Sequence, residues 1–96
     1  MKDNLNKKPK LTKSIVYKDK SIDGKGKYLV FDYSTALGFL TNKLGIQIIS
    51  RCDGRKNILL ILGELFKLYL DVPKEQIRTD VLDFLREMEE NGIIET

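Results

Sequence analysis

Lys27-Tyr28-Leu29-Val30-Phe31-Asp32-Tyr33-Ser34-Thr35-Ala36-Leu37-Gly38-Phe39-Leu40 is the stretch on which the fold turns. Its first half is aromatic and β-branched and predicts a strand over residues 27–33. Asp32 to Thr35 supplies polar turn residues, and Ala36-Leu37-Gly38-Phe39-Leu40 then reads as a short strand. Gly38 weakens that strand and places it at a sheet edge. Upstream, Thr12-Lys13-Ser14-Ile15-Val16-Tyr17-Lys18 predicts a strand, and Asp23-Gly24-Lys25-Gly26 a turn. The expectation is an antiparallel meander of three strands.

Downstream the period changes from two to that of a helix. Thr41 or Asn42 can cap a helix whose inner face holds Leu44, Ile48, Ile49 and Cys52, with Gly54 as its stop. Asn57 caps a second helix, with Ile58, Ile61, Leu62, Leu65, Phe66 and Tyr69 on one stripe and Leu59, Leu60, Leu68 and Leu70 beyond it. So much apolar surface places the helix centrally or under a partner, a larger enzyme or a second copy. Pro73 opens a third helix, which buries Ile77, Val81, Phe84, Leu85 and Met88 and ends at Gly92. The class is α+β, with a three-stranded antiparallel sheet followed by three helices. Gly45 and Gly63, inside predicted helices, read as sites of close packing.

Composition excludes more than it suggests. The 96 residues allow one domain and include no histidine, no tryptophan and one cysteine. No Ser-His-Asp or Cys-His unit and no four-ligand Cys/His zinc site can be assembled from them, and no cofactor motif is visible. Gly24-Lys25-Gly26 lacks the spacing of a phosphate loop. Asp80, Asp83 and Glu87 recur at helical spacing among Arg78 and Arg86 and read as a solvated charged face. Cys52 reads as packing, with Arg51 and Arg55 near enough to leave a reactive thiol open. The longest unbroken aliphatic run is Ile58 to Leu62, where a membrane span needs about twenty residues, and no signal peptide is visible. A cytoplasmic setting follows as the expectation.

The net charge of +3 is unevenly placed. Residues 1–27 carry nine Lys against Asp3, Asp19 and Asp23, whereas residues 28–96 carry more carboxylates than cations. Residues 1–11 read as a flexible basic arm on a single domain spanning 12–96. A small sheet with three helices resembles a winged helix-turn-helix, which raises DNA binding. The third helix argues against it. Over 74–90, Lys74, Arg78 and Arg86 face Glu75, Asp80, Asp83, Glu87, Glu89 and Glu90, and duplex phosphates repel that balance.

Leu37-Gly38-Phe39-Leu40-Thr41-Asn42, Ser50-Arg51-Cys52-Asp53-Gly54, Val72-Pro73-Lys74-Glu75-Gln76-Ile77, Asp80-Val81-Leu82-Asp83-Phe84-Leu85 and Gly92-Ile93-Ile94 together resemble the PqqD family. It is named for protein D of pyrroloquinoline quinone (PQQ) biosynthesis and is also called the RiPP recognition element, for ribosomally made, post-translationally modified peptides. The resemblance covers roughly residues 28–95. It implies a winged helix-turn-helix variant that acts as a non-catalytic peptide chaperone. The leader of a precursor peptide would add as a strand to residues 36–40, lie in a groove against helix 74–91, and be presented to a modifying enzyme. That partner is often a radical SAM protein, or a leader peptidase. Carried onto this chain, the binding residues are Leu37, Gly38, Phe39 and Leu40 on the strand and Arg78, Val81, Leu82 and Leu85 on the helix. Val81 and Leu85 fit the core equally well. The turn from Lys18 to Lys27 is long and lysine-rich for the family.

Overall fold

Tyr28–Asp32 forms the centre of the main sheet, because alternate residues can be buried there on one face. In the computed structural model, which describes residues 4–96, the chain runs β1 (Lys10–Leu11), β2 (Ile15–Tyr17), β3 (Tyr28–Asp32), β4 (Leu37–Thr41), α1 (Lys43–Ile49), α2 (Ile58–Leu68), α3 (Lys74–Glu90) and β5 (Ile94–Glu95). The main sheet is antiparallel in the order β2-β3-β4. Val30 lies opposite Tyr17 on one side and Phe39 on the other. Val30 is fully buried, so this row faces the helices.

The helices start and stop where their local chemistry dictates. The Asn42 side chain accepts from the N–H of Gly45, and Asn57 accepts from Leu60, so each satisfies an orphan donor of its helix. Pro73 opens α3 without a side-chain cap. Gly92 takes φ 73°, and the Ile93 N–H then closes on the Met88 carbonyl. Ile48, Ile49, Ile61, Leu65 and Val81 make the centre of the core. The triad Arg51–Glu64–Lys56 pins the end of α1 and the following loop to α2, with both pairs at 2.9 Å.

Three expectations change. The first strand is shorter than 12–18, because Thr12 turns away: its N–H and hydroxyl bond to the carbonyls of Ile93 and Gly92. Residues 4–11 are docked rather than a free arm. Lys7 and Leu5 carbonyls accept from Ile58 and Leu59 at the start of α2, Pro9 is buried, and β1 pairs with β5. Residues 1–3 of the expected arm lie outside the described residues. Gly63 has open space where a Cβ would stand, so only Gly45 answers to close packing.

Candidate functional site

The sheet has two edges, and they differ. β2 is three residues long, with Lys13 and Lys18 close to its ends. β4 is five residues long and carries no charge. Backbone direction on β4 follows from its neighbours. The Lys18 N–H bonds to the Leu29 carbonyl and the Tyr33 N–H to the Ser14 carbonyl, so odd-numbered residues of β3 face β2. Tyr28, Val30 and Asp32 therefore bond Thr41, Phe39 and Leu37 of β4. Gly38 and Leu40 are left with their N–H and C=O groups pointing away from the sheet. Among the described residues, no other element takes these groups up. An uncharged edge with free donors and acceptors is a template for an extended chain.

The side chains along this edge are also unsatisfied. Leu37 is 70% exposed and Leu40 52%, large fractions for leucines in a sheet. Phe39 is half-buried against the core. At the C-terminal end of β4 the helices arrive. A Cβ on Gly45 would collide with the Thr41 hydroxyl and stand 3.1 Å from Phe84 Cε1. Thr41, Gly45 and half-buried Phe84 thus meet where β4, α1 and α3 converge. α1 packs against both β4 and α3 and closes the space between them at that end. Helical spacing puts Asp80 on the same side of α3 as Phe84. Asp80 holds Gln76 at 3.0 Å.

The residues expected on α3 divide differently. Val81 is fully buried and Leu85 nearly so, and both pack in the core cluster. Leu82 is half-buried on the side of α3 away from Phe84. With Leu85 and Arg86 it lines a cavity of about 290 Å³, shared with Lys7, Pro9, Ile58 and Ile94. Arg78 is exposed one turn earlier, and has no ion-pair partner among the described residues. The structure therefore keeps Leu37 to Leu40 together but does not bring Arg78 and Leu82 to them. Phe84, expected in the buried stripe, is half-buried and comes near Thr41 of β4 across Gly45. Its position one turn after Asp80, facing a helical glycine, is the signal that finds it.

The Cys52-Asp53-Gly54 motif is architectural. Burial, and then the Asp53 charge, push the Cys52 thiol up to about 12, and Sγ bonds the Ile48 carbonyl. That removes the reactive-thiol option. Asp53 accepts from the N–H groups of Arg55 and Lys56, which hold its carboxyl below the usual range. Gly54 takes φ 79° with the Lys10 side chain packed against it, and its N–H bonds Pro9. No group of His, Cys, Asp or Glu among the described residues can hold a metal. No helix among them is long and apolar enough to cross a membrane.

The class that this geometry defines is a small α+β domain: a three-stranded sheet with one open, uncharged edge, backed by three helices. Two solved structures are similar to this chain in fold. One is titled "TbiB1 in Complex with the TbiA(beta) Leader Peptide": 20% identity, TM-score 0.72, 90% of this chain and 94% of that one covered. The other is "Lasso peptide synthetase B1 complexed with the leader peptide": 12% identity, TM-score 0.71, coverage 93% and 99%. The family model described as coenzyme PQQ synthesis protein D (PqqD) matches residues 28–94, and the chain belongs to the PqqD family. A search of curated proteins finds no match.

Proposed function

We infer that this protein holds the leader of a ribosomally made precursor peptide as a fourth strand on β4 and presents it to a modifying enzyme. The carrying observation is the open edge, where Gly38 and Leu40 turn N–H and C=O groups outward beside exposed Leu37. Backbone pairing gives affinity with little sequence demand, and alternate side chains give selectivity. Residues of the leader beside Leu37 and Phe39 point to the α3 side, towards Phe84. Those beside Gly38 and Leu40 point to the other face of the sheet. Val81 and Leu85 act only by holding α3 in place, and Arg78 and Leu82 stand apart from this path. The likeness to two leader-peptide complexes and membership of the PqqD family support the reading. The role is binding, with the chemistry left to the partner in a natural-product or PQQ-type pathway in the cytoplasm.

The test is an amide NMR titration with the leader of the precursor encoded beside this chain. Shifts at residues 37–41 and 84, with new protection of the Gly38 and Leu40 amides, are expected. Saturation of any effect elsewhere, with these amides unmoved, overturns the reading. A docking role has its own observation: Leu59, Leu60, Leu68 and Leu70 of the α2 region remain exposed. It is compatible with peptide binding, and a pull-down with the modifying enzyme using Leu60→Glu separates the two.

A further inference from the structure

The lysine-rich hairpin that peptide binding leaves unused carries a second surface. On the face of the sheet away from the helices, register aligns Val16 with Phe31 and Gly38, and Leu29 with Leu40. Gly38 has no side chain there, so Phe31 Cδ1 and Leu29 Cδ1 lie over it, 3.1 and 3.5 Å from where a Cβ would stand. Val16 and Leu40 remain about half exposed, at 49% and 52%. The result is an apolar depression of about 340 Å³ lined by Val16, Tyr17, Lys18, Leu29 and Phe31.

Cations frame this depression. Strand alternation puts Lys18 and Lys27 on the same face, and Lys13, Lys20 and Lys25 stand in the flanking turns. Over residues 13–27 only Asp19 and Asp23 oppose them. Asp23 is spent within the loop, accepting from the Ser21 hydroxyl and from the N–H groups of Lys25 and Lys27. Gly24 and Gly26 take φ 68° and 93°, giving the loop a defined path with Ile22 exposed among the lysines. The family match begins at Tyr28, so this basic rim lies outside the matched segment.

We propose that the outer sheet face docks an acidic amphipathic helix of a partner protein, with its apolar stripe on Val16, Leu29, Phe31 and Leu40 and its carboxylates over Lys18 and Lys27. A helix there gives the sheet the second covering layer that its inner face already has. Among the described residues, neither amphipathic helix of a second copy offers both parts. α3 is acidic, but Ile77, Val81, Leu85 and Met88 are turned inward and buried. α2 exposes leucines, but its one carboxylate, Glu64, is held by Arg51 and Lys56. The partner is the enzyme that receives the leader, a step that rests on the peptide-presenting role. The leader approaches in the plane of the sheet and the helix from above it, so both can be held at once.

The experiment uses the full chain, labelled for amide NMR, with four probes: an amphipathic Leu/Glu peptide, the same peptide with Lys for Glu, vesicles of phosphatidylcholine with phosphatidylglycerol, and the leader. The Leu/Glu peptide is expected to shift Val16, Lys18, Leu29, Phe31 and Leu40. The Leu/Lys peptide is expected to leave them in place. Lys18→Glu with Lys27→Glu should weaken the Leu/Glu peptide roughly tenfold and leave leader affinity unchanged. Equal binding of the two peptides, binding to vesicles alone, or no shift on this face overturns the inference. Leader binding without Leu/Glu binding sinks this surface only. The reverse sinks the β4 reading and leaves the surface standing.

Discussion

Leu40→Pro tests the edge-strand reading directly, because strand geometry predicts that the fold tolerates it and the complex does not. The Leu40 N–H points away from β3, so proline there removes no bond within the sheet. Proline is accepted at an edge position of this kind. A bound peptide, however, loses one backbone hydrogen bond, worth about 1 kcal/mol net, or roughly fivefold in affinity. Its carbonyl also faces a ring instead of a donor, and an unsatisfied buried acceptor costs a further 1–3 kcal/mol or so. Together these predict a loss of roughly thirtyfold to a thousandfold in Kd. Leu40→Ala is the control for the lost side chain. Isothermal titration with the leader measures both variants, and thermal melting checks that each is folded. If folded Leu40→Pro binds within twofold of Leu40→Ala, the peptide does not pair with this edge.

Phe84→Ala should weaken the leader by roughly tenfold while Leu82→Glu leaves it unchanged; loss of binding in a folded Leu82→Glu variant would move the groove to the other side of α3. Gly45→Ala should lower the melting temperature by roughly 5–10 °C, since its Cβ meets Thr41 and Phe84 and outweighs the gain of about 1 kcal/mol in helix propensity. A variant as stable as the parent would refute that packing. Cys52 should resist thiol reagents at pH 8 in the folded protein and react at the ordinary rate in denaturant, because burial holds its proton. Hydrogen bonding from Lys56, then Arg51, holds the Glu64 carboxyl below its usual 4.5. The fold therefore favours the charged form, its contribution is complete above about pH 4.5, and it is lost as pH falls through the lowered value. Melting from pH 7 to 3 should show a decline below 4.5 that is smaller in Glu64→Gln.

The elements with internal periodicity were legible in the sequence. Strand 28–32 and helix 74–90 stand where alternation and the helical stripe put them, and Asn42 and Asn57 cap as their side chains demand. The pairing of Lys10–Leu11 with Ile94–Glu95 was not legible, since two-residue strands have no period. The docked stretch 4–11 was hidden for a related reason. Its lysines read as a solvated arm, but its backbone carbonyls hold it to α2, and carbonyls are common to every sequence. The uncharged, apolar character of β4 was visible in Leu37 to Leu40. On α3, Leu82 and Phe84 both border the buried stripe, and only packing against Gly45 tells which border faces β4.

The antiparallel pairing of β1 with β5 brings Lys10 opposite Glu95. Paired backbones of that kind stand about 5 Å apart, so the segment that leads into the main sheet and the segment that follows α3 are tied to each other. A tether to a larger enzyme attached beside this ladder would be anchored there. That ladder is separate from the sheet that carries β4. Such a tether would leave the β4 edge open, and would turn the handover of any peptide held on that edge into an intramolecular event at high local concentration.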